Sequence, residues 1–128
     1  MLIAILAHMI VFLGVTALAA LIVKMVTITF KKFVSLIKEK LTSKFGGTLA
    51  IMDIRRVAKE AIKEAERTGN KKNVEQLEKM MKQEGFAMAV QDKNGNISAD
   101  DIEIYEAEQM DPNIYGEMDE DGLLVVGN

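Results

Sequence analysis

The feature that most constrains this chain is an uncharged apolar run at its N-terminus. The run covers residues 2–23 and reads LIAILAHMIVFLGVTALAALIV. A helix of this length extends about 33 Å at 1.5 Å per residue, and the hydrocarbon core of a bilayer is roughly 30 Å thick. The run therefore predicts a single transmembrane helix. A cleaved signal peptide and a helix buried within an oligomer are the alternatives.

Basic residues follow the apolar run and none precedes it. The positive-inside rule then places the N-terminus outside and the C-terminal region in the cytoplasm, beneath a bacterial inner membrane or its equivalent. Within the run, small side chains provide surfaces on which one membrane helix packs against another. The residues predicted to do so are Ala7, Gly14 and Ala17.

A basic amphipathic helix is predicted directly after the anchor. Apolar residues recur every three or four positions from Phe30 to Phe45, with lysines between them. We expect this helix to lie on the inner leaflet, although packing on a protein partner and a continuous helix rising from the membrane are alternatives. The lysines predicted to contact anionic headgroups are Lys24, Lys31, Lys32, Lys38, Lys40 and Lys44. The stretch has no Arg and its Phe residues share the apolar face, so nucleic acid is not an expected partner.

Anchor, amphipathic helix and acidic tail follow one another in an order that resembles the small pore-forming subunits of twin-arginine translocases. Those subunits carry a Phe-Gly hinge directly after the anchor, whereas Phe30 is followed by Lys31 in this chain. The resemblance is therefore one of layout, and it implies an oligomeric pore as an alternative function.

A helical hairpin is predicted after the Gly46-Gly47 break. An apolar stripe indicates a helix over residues 49–67 that ends at Gly69, and Asn73 opens a second helix that stops at Gly85. Both stripes are rich in Ala and Met, so the hairpin buries little apolar area. It is expected to need a neighbour, either the tail or another copy of the chain.

Charge divides the chain in two. Up to Gln83 there are 15 basic and 7 acidic residues, and after Gln83 there are 1 basic and 12 acidic residues.

The acidic part contains signals for short elements. FAMAV predicts a strand, Asn94-Gly95 predicts a turn, and DIEIY predicts either a capped short helix or a strand. GLLVVGN predicts a strand that pairs with FAMAV. The carboxylates are expected to form a solvated acidic surface. They are Asp100, Asp101, Glu103, Glu106, Glu108, Asp111, Glu117, Asp119, Glu120 and Asp121.

One segment of the tail, DKNGNISADDI, resembles part of an EF-hand calcium loop. The resemblance implies Asp92, Asn94, Asn96 and Asp101 as oxygen ligands. The bend Gly and the first acidic ligand do not fit a single register. An ordinary turn before a capped helix is the preferred interpretation.

No catalytic constellation occurs in the sequence. The chain has no Cys, its one His lies inside the apolar run, and no Ser-His-Asp set or phosphate loop is present. We therefore expect no enzymatic activity and no cofactor.

The fold class predicted from these patterns is mainly α with a small α+β tail. The predicted regions are an anchor (1–24), a basic juxtamembrane segment (25–47), a helical hairpin (48–84) and an acidic region (85–128). The predicted function is a small single-pass membrane protein that self-associates or tethers a cytoplasmic partner. A holin-like or translocase-like pore and a membrane-inserting virion or secretion component are the alternatives.

Overall fold

The computed structural model of this protein describes residues 2–15, 21–44, 46–98 and 101–127. Helices and strands alternate along most of these residues. In chain order they are α1 (Leu2–Val15), β1 (Ile22–Ile28), α2 (Phe30–Ser43), β2 (Thr48–Asp53), α3 (Ile54–Thr68), α4 (Val74–Met80), β3 (Glu84–Gln91), β4 (Glu103–Met110), α5 (Pro112–Gly116) and β5 (Leu123–Gly127).

The strands form one mixed sheet in the order β1-β4-β3-β2-β5. β1 runs parallel to β4, and every other neighbouring pair is antiparallel. One buried cluster joins α1, α3 and α4 to the first face of the sheet, and a second joins α2 and α5 to the opposite face. The fold is therefore α+β with helices on both faces, and the prediction of a mainly α chain is wrong.

The central strand β3 explains how helices cover both faces. Phe86, Met88 and Val90 point into the second cluster, whereas Ala87 and Ala89 point into the first. The alternation in FAMAV is thus between large and small side chains on a strand buried on both sides. Small side chains on the first face leave room for α1 and α3 to pack against the sheet.

In the described part of the predicted transmembrane span, most residues form a helix and the last two begin a strand. Residues 16–20 of the span lie outside the described residues. α1 ends at Val15, and β1 begins at Ile22. The α1 side chains Ile5, Met9 and Leu13 are fully buried in the first cluster, which accounts for the apolar character of this segment. Among the helices that the structure describes, none combines the length and apolarity needed to cross a bilayer.

The prediction of a single-pass membrane protein is therefore wrong, together with its outward N-terminus and cytoplasmic C-terminal region. The pore-forming and membrane-inserting alternatives required the same span, and they are overturned by the same finding.

The basic amphipathic segment does form a helix, but its apolar face lies against the sheet. Thr29 caps α2 by accepting a hydrogen bond from the Lys32 backbone N–H, and Phe33 and Leu36 are buried in the second cluster. That face is not free to enter an acyl layer. The prediction of a helix lying on a membrane leaflet is wrong for this reason.

The predicted hairpin starts too early. Residues 48–53 form β2 in the middle of the sheet, and the first helix of the pair begins at Ile54, where the Asp53 carboxylate accepts from the Arg55 backbone N–H. It ends at Gly69, which has a φ of 79° as the left-handed cap requires. The last strand, β5, pairs with β2, so its predicted pairing with FAMAV is wrong.

Candidate functional site

In both β1 and β4, the buried side chains switch from one face of the sheet to the other partway along the strand. Ile22 and Ile104 lie in the first cluster, whereas Ile28 and Met110 lie in the second. Side chains six residues apart in a regular strand point to the same face. Both strands therefore lose one step of their alternation within the same stretch.

The change of face coincides with a break in the ladder between the two strands. Pairing keeps one constant offset from Ile22 to Ile28 and is missing only where Val26 would meet Glu108. The constant offset means that neither strand has an inserted residue. We call this paired irregularity the kink. At the kink two consecutive residues are exposed in each strand, and Val26 is 70% exposed.

A cavity of about 360 Å³ opens at the kink. We call it the kink cleft. Its lining residues are Lys24, Met25, Val26, Gln83, Glu106, Ala107 and Glu108. The cleft is thus built from the two kinked strands and the residue that precedes β3.

Glu106 is the unusual residue of the kink cleft. Its side chain is only 8% exposed, and its Oε2 atom is buried without a hydrogen-bond partner. Among the described residues it is the one buried side-chain polar atom in this condition. Buried carboxylates are normally paired, because an unpaired charge in a low-dielectric interior is strongly unfavourable. The exception marks a place where a bonding partner is missing.

The neighbours of Glu106 do not supply that partner. Lys24 faces Glu106 across the parallel ladder, but no ion pair within 4.0 Å involves Lys24 in the part of the chain that the structure describes. Glu108 is exposed at the rim and adds a second negative charge. No cluster of three or more His, Cys, Asp or Glu side chains that could hold a metal ion occurs within the described ranges.

A larger cavity of about 430 Å³ lies at the start of α3, and several of its polar groups are already paired. The Arg55 guanidinium donates to both carboxylate oxygens of Asp53 at 3.1 and 2.8 Å, and this hydrogen bonding raises its pKa. Arg55 also lies 5.1 Å from the centre of the Tyr115 ring, whose hydroxyl donates to Glu84 at 2.9 Å. Burial, and then this hydrogen bond, raise the pKa of Tyr115. The network links α3, α5 and the sheet, and it engages the Asp53, Arg55 and Tyr115 side chains that line the cavity.

The six predicted headgroup-binding lysines do not share one surface role. Lys40 pairs with Glu103 at 3.2 Å, and Lys44 pairs with Asp101 at 3.3 Å. Lys24 lies in β1 beside the kink cleft. The other three, Lys31, Lys32 and Lys38, are exposed on α2. Contact of these lysines with anionic headgroups stays a prediction.

The predicted helix-packing residues lie partly outside the described part of the chain. Ala7 is exposed on α1, Gly14 lies near the end of the same helix, and Ala17 is not among the described residues. Their packing role stays a prediction.

The calcium candidates are engaged in a local turn. The Asp92 carboxylate accepts from the backbone N–H groups of Asn94 and Asn96, both at 2.9 Å. These hydrogen bonds hold the pKa of Asp92 below its ordinary value. The last candidate, Asp101, is paired with Lys44. The segment forms a turn, and β4 rather than the predicted capped helix follows it. Calcium binding by these residues stays a prediction.

Glu106 is not among the site residues predicted from the sequence, where it belongs to the predicted solvated acidic surface. That assignment is wrong because Glu106 follows Ile102 and Ile104 on the buried face of β4. The signal was present in the sequence, since residues two apart on a strand share a face. Interpreting DIEIY as a strand predicts that the third residue of this series, Glu106, points inward.

Models of known protein families, curated proteins and solved structures were compared with this chain, and none of them matches it. The geometry of the kink cleft is therefore the basis for assigning a function.

Proposed function

We propose that this chain is a binding domain whose kink cleft takes a basic side chain of a protein partner. The observation that carries the proposal is the Oε2 atom of Glu106, which is buried, lines the cleft and has no hydrogen-bond partner. An ammonium or guanidinium group supplies both the missing donor and the compensating charge.

The charge balance of the cleft supports a cationic group. Glu106 and Glu108 contribute two carboxylates, against one ammonium from Lys24. An anionic ligand would meet the unpartnered carboxylate oxygen directly, and like charges at short range are unfavourable.

The shape and remaining lining of the cleft support a side chain with an apolar stem. Met25, Val26 and Ala107 contribute apolar surface beside the carboxylate. Lysine and arginine carry a methylene stem behind a charged head and bury that stem against apolar groups. A cavity of about 360 Å³ accommodates one such side chain.

Binding without catalysis is the activity that this lining supports. The kink cleft has no Ser, Thr, Cys or His in its lining, so neither a nucleophile with an adjacent base nor a histidine proton relay is available there. The buried carboxylate of Glu106, which accepts a cation, is sufficient for recognition.

The proposal is tested by NMR titration of the ¹⁵N-labelled full chain with N-acetyl-lysine N-methylamide. The matched ligand without the charge is N-acetyl-norleucine N-methylamide. We expect the lysine compound to shift amide resonances of β1 and β4 around the kink, and Glu106→Gln to weaken this binding about tenfold, corresponding to one lost charged contact.

Glu117→Gln, at an exposed glutamate that directly follows α5 and does not line the kink cleft, is the matched control and should leave the affinity unchanged. Equal shifts with the lysine and norleucine compounds, or an affinity for the lysine compound that survives Glu106→Gln, would refute the proposed function.

A further inference from the structure

We infer that the partner which fills the kink cleft is a second copy of this chain, joined by antiparallel pairing of β1 with β1, so that Lys24 of each copy reaches Glu106 of the other. The inference rests on the proposed function, because it names the source of the basic side chain.

The outer side of β1 is open. β1 is the first strand of the sheet, and among the described residues it pairs with β4 alone. An edge strand presents unpaired backbone N–H and C=O groups that another strand can pair with. β1 has seven residues and no Pro, and Val23 and Val26 on it are 46% and 70% exposed. Proteins commonly protect such an edge with Pro, with several charges or with a bulge that turns it away. β1 has one Lys and large exposed apolar side chains.

Two complementary charges lie at this open edge, one on β1 and one on the neighbouring strand β4. Lys24 is exposed on β1 and has no ion pair within the described part of the chain, whereas Glu106 on the next strand lacks a partner for Oε2. One chain thus presents both a cation that is not paired and a carboxylate that is not satisfied. In a two-fold symmetric dimer, Lys24 of each copy meets Glu106 of the other. The same contact therefore forms twice in one interface, as in any isologous contact.

The register follows from the rules of antiparallel pairing. With the two-fold axis at Met25, Lys24 of one copy lies directly opposite Val26 of the other, and Val26 lines the kink cleft. Glu106 and Glu108 lie one strand further in. Two strand spacings of roughly 4.8 Å, together with an offset of two residues along the strand, separate the Cα atoms of Lys24 and of Glu106 in the other copy by about 12 Å. Extended lysine and glutamate side chains span this distance when they point toward each other.

β1 is itself the kind of strand that fits the site. Its sequence places one lysine between Val23 and Met25, whose side chains point to the opposite face of the strand and add apolar contacts along the paired edge. The resulting dimer has a continuous sheet of two five-stranded halves, in which both β1 edges are paired. Closure by symmetry also prevents further strands from adding at these edges.

Charge reversal and mixing test the inference by sedimentation equilibrium. We expect the unmodified chain to be a dimer, and Lys24→Glu to raise its dissociation constant on the order of 30-fold. Glu106→Lys should do the same, and in an equimolar mixture the two variants should recover near wild-type association as a heterodimer. Glu108→Lys replaces Glu106→Lys if circular dichroism shows that the buried lysine prevents folding, because Glu108 is exposed at the cleft rim. Lys71→Glu, the same charge change on an exposed residue after α3, should leave association unchanged.

A disulfide across the axis tests the register independently. The chain has no Cys, so Met25→Cys should form an intermolecular disulfide under mild oxidation, since residues opposite each other in antiparallel strands have the Cα separation that a disulfide needs. Val125→Cys on the other sheet edge is the matched control and should remain reduced.

The outcomes separate the inference from the proposed function. A monomer that binds N-acetyl-lysine N-methylamide through Glu106 overturns the inference and leaves the proposed function intact. A dimer that Lys24→Glu does not weaken, or a mixture that does not associate, also overturns the inference. A monomer without Glu106-dependent binding overturns both.

Discussion

Replacing Glu106 with Met should stabilise the isolated chain. A buried carboxylate lowers the stability of the chain when its binding partner is absent. Burial removes its hydrating water, and no group of the fold donates a hydrogen bond to Oε2. Met has a similar volume and is apolar, so the substitution removes the uncompensated charge and leaves the surrounding packing largely unchanged.

The magnitude follows from the burial of Glu106 and from its neighbours. A buried hydrogen-bonding group without a partner costs about 1–3 kcal/mol, and exchange of buried ionic groups for apolar ones stabilises proteins by about 1–4 kcal/mol. The positive charge of Lys24 in the same cleft offsets part of this cost. We therefore expect Glu106→Met to raise the free energy of unfolding of the monomer by about 1–2 kcal/mol, equivalent to a Tm increase of about 4–8 °C for a chain of this size.

Urea unfolding followed by circular dichroism, at a protein concentration below the dimer dissociation constant, measures this change. Glu103→Met is the matched control on the same strand, because Glu103 accepts a hydrogen bond from Tyr105 at 2.9 Å and pairs with Lys40. The control substitution should lower stability. A loss of about 3–5 kcal/mol with Glu106→Met would refute the reasoning, since a loss of that size is characteristic of breaking a satisfied buried ion pair.

Three further substitutions or titrations test the fold. Gly85→Ala should destabilise the chain by about 3 kcal/mol or more in urea unfolding, because Gly85 has a φ of 146° and an added Cβ would lie 1.9 Å from the Tyr105 carbonyl oxygen; an unchanged midpoint would contradict the packing of β3 on β4. Asp53→Ala should cost about 1–2 kcal/mol through loss of the α3 cap and of the Arg55 pairing, with Asp53→Asn recovering the cap alone. Ultraviolet titration should show Tyr115 ionising above its ordinary pKa of 10.0; since the unfolded chain releases that proton first, stability should fall as the pH rises above 10. A normal titration of Tyr115 would show that its hydroxyl is not held by the network.

The apolar run illustrates what sequence patterns alone could and could not decide. A helix that is apolar on every side is either buried in a protein or placed in a membrane, and periodicity does not separate the two. In this chain α1 is covered by α3 and the sheet, and the last two residues of the run, Ile22 and Val23, belong to β1. An uninterrupted apolar run predicts a single helix, and no Pro or charge within residues 2–23 separates the residues of α1 from those of β1.

Patterns of neighbouring residues correctly predicted the elements that depend on neighbouring residues, such as one helix and one turn. Phe30–Ser43 is a helix with the spacing that its sequence indicated, and Gly95 has the positive φ that the Asn-Gly turn requires. The failures involve distant contacts. β2 continues into the apolar stripe of α3, and a short buried strand cannot be distinguished from a helix by periodicity. The pairing of β5 with β2 brings together residues about 75 positions apart, which no local pattern encodes.

The kink cleft could be predicted only in part. Alternation along DIEIYE places Glu106 on the buried face once that segment is taken as a strand. The loss of alternation at Val26 and Glu108 is not signalled, because neither position has a Gly or Pro and no residue is inserted in either strand. The neighbourhood of Lys24 and Glu106 depends on the parallel pairing of strands 82 positions apart in the chain.

The central claim is that the Glu106 carboxylate binds a cation supplied by a partner. The most direct measurement is the ¹³C chemical shift of that carboxyl group, in a chain labelled at its glutamate carboxyl carbons and assigned with Glu106→Gln. With monomeric protein, addition of N-acetyl-lysine N-methylamide should move the Glu106 signal more than that of any other glutamate, and N-acetyl-norleucine N-methylamide should leave it in place. A Glu106 signal that stays fixed while the lysine compound saturates the protein, or that moves no more than exposed glutamates do, would contradict the claim.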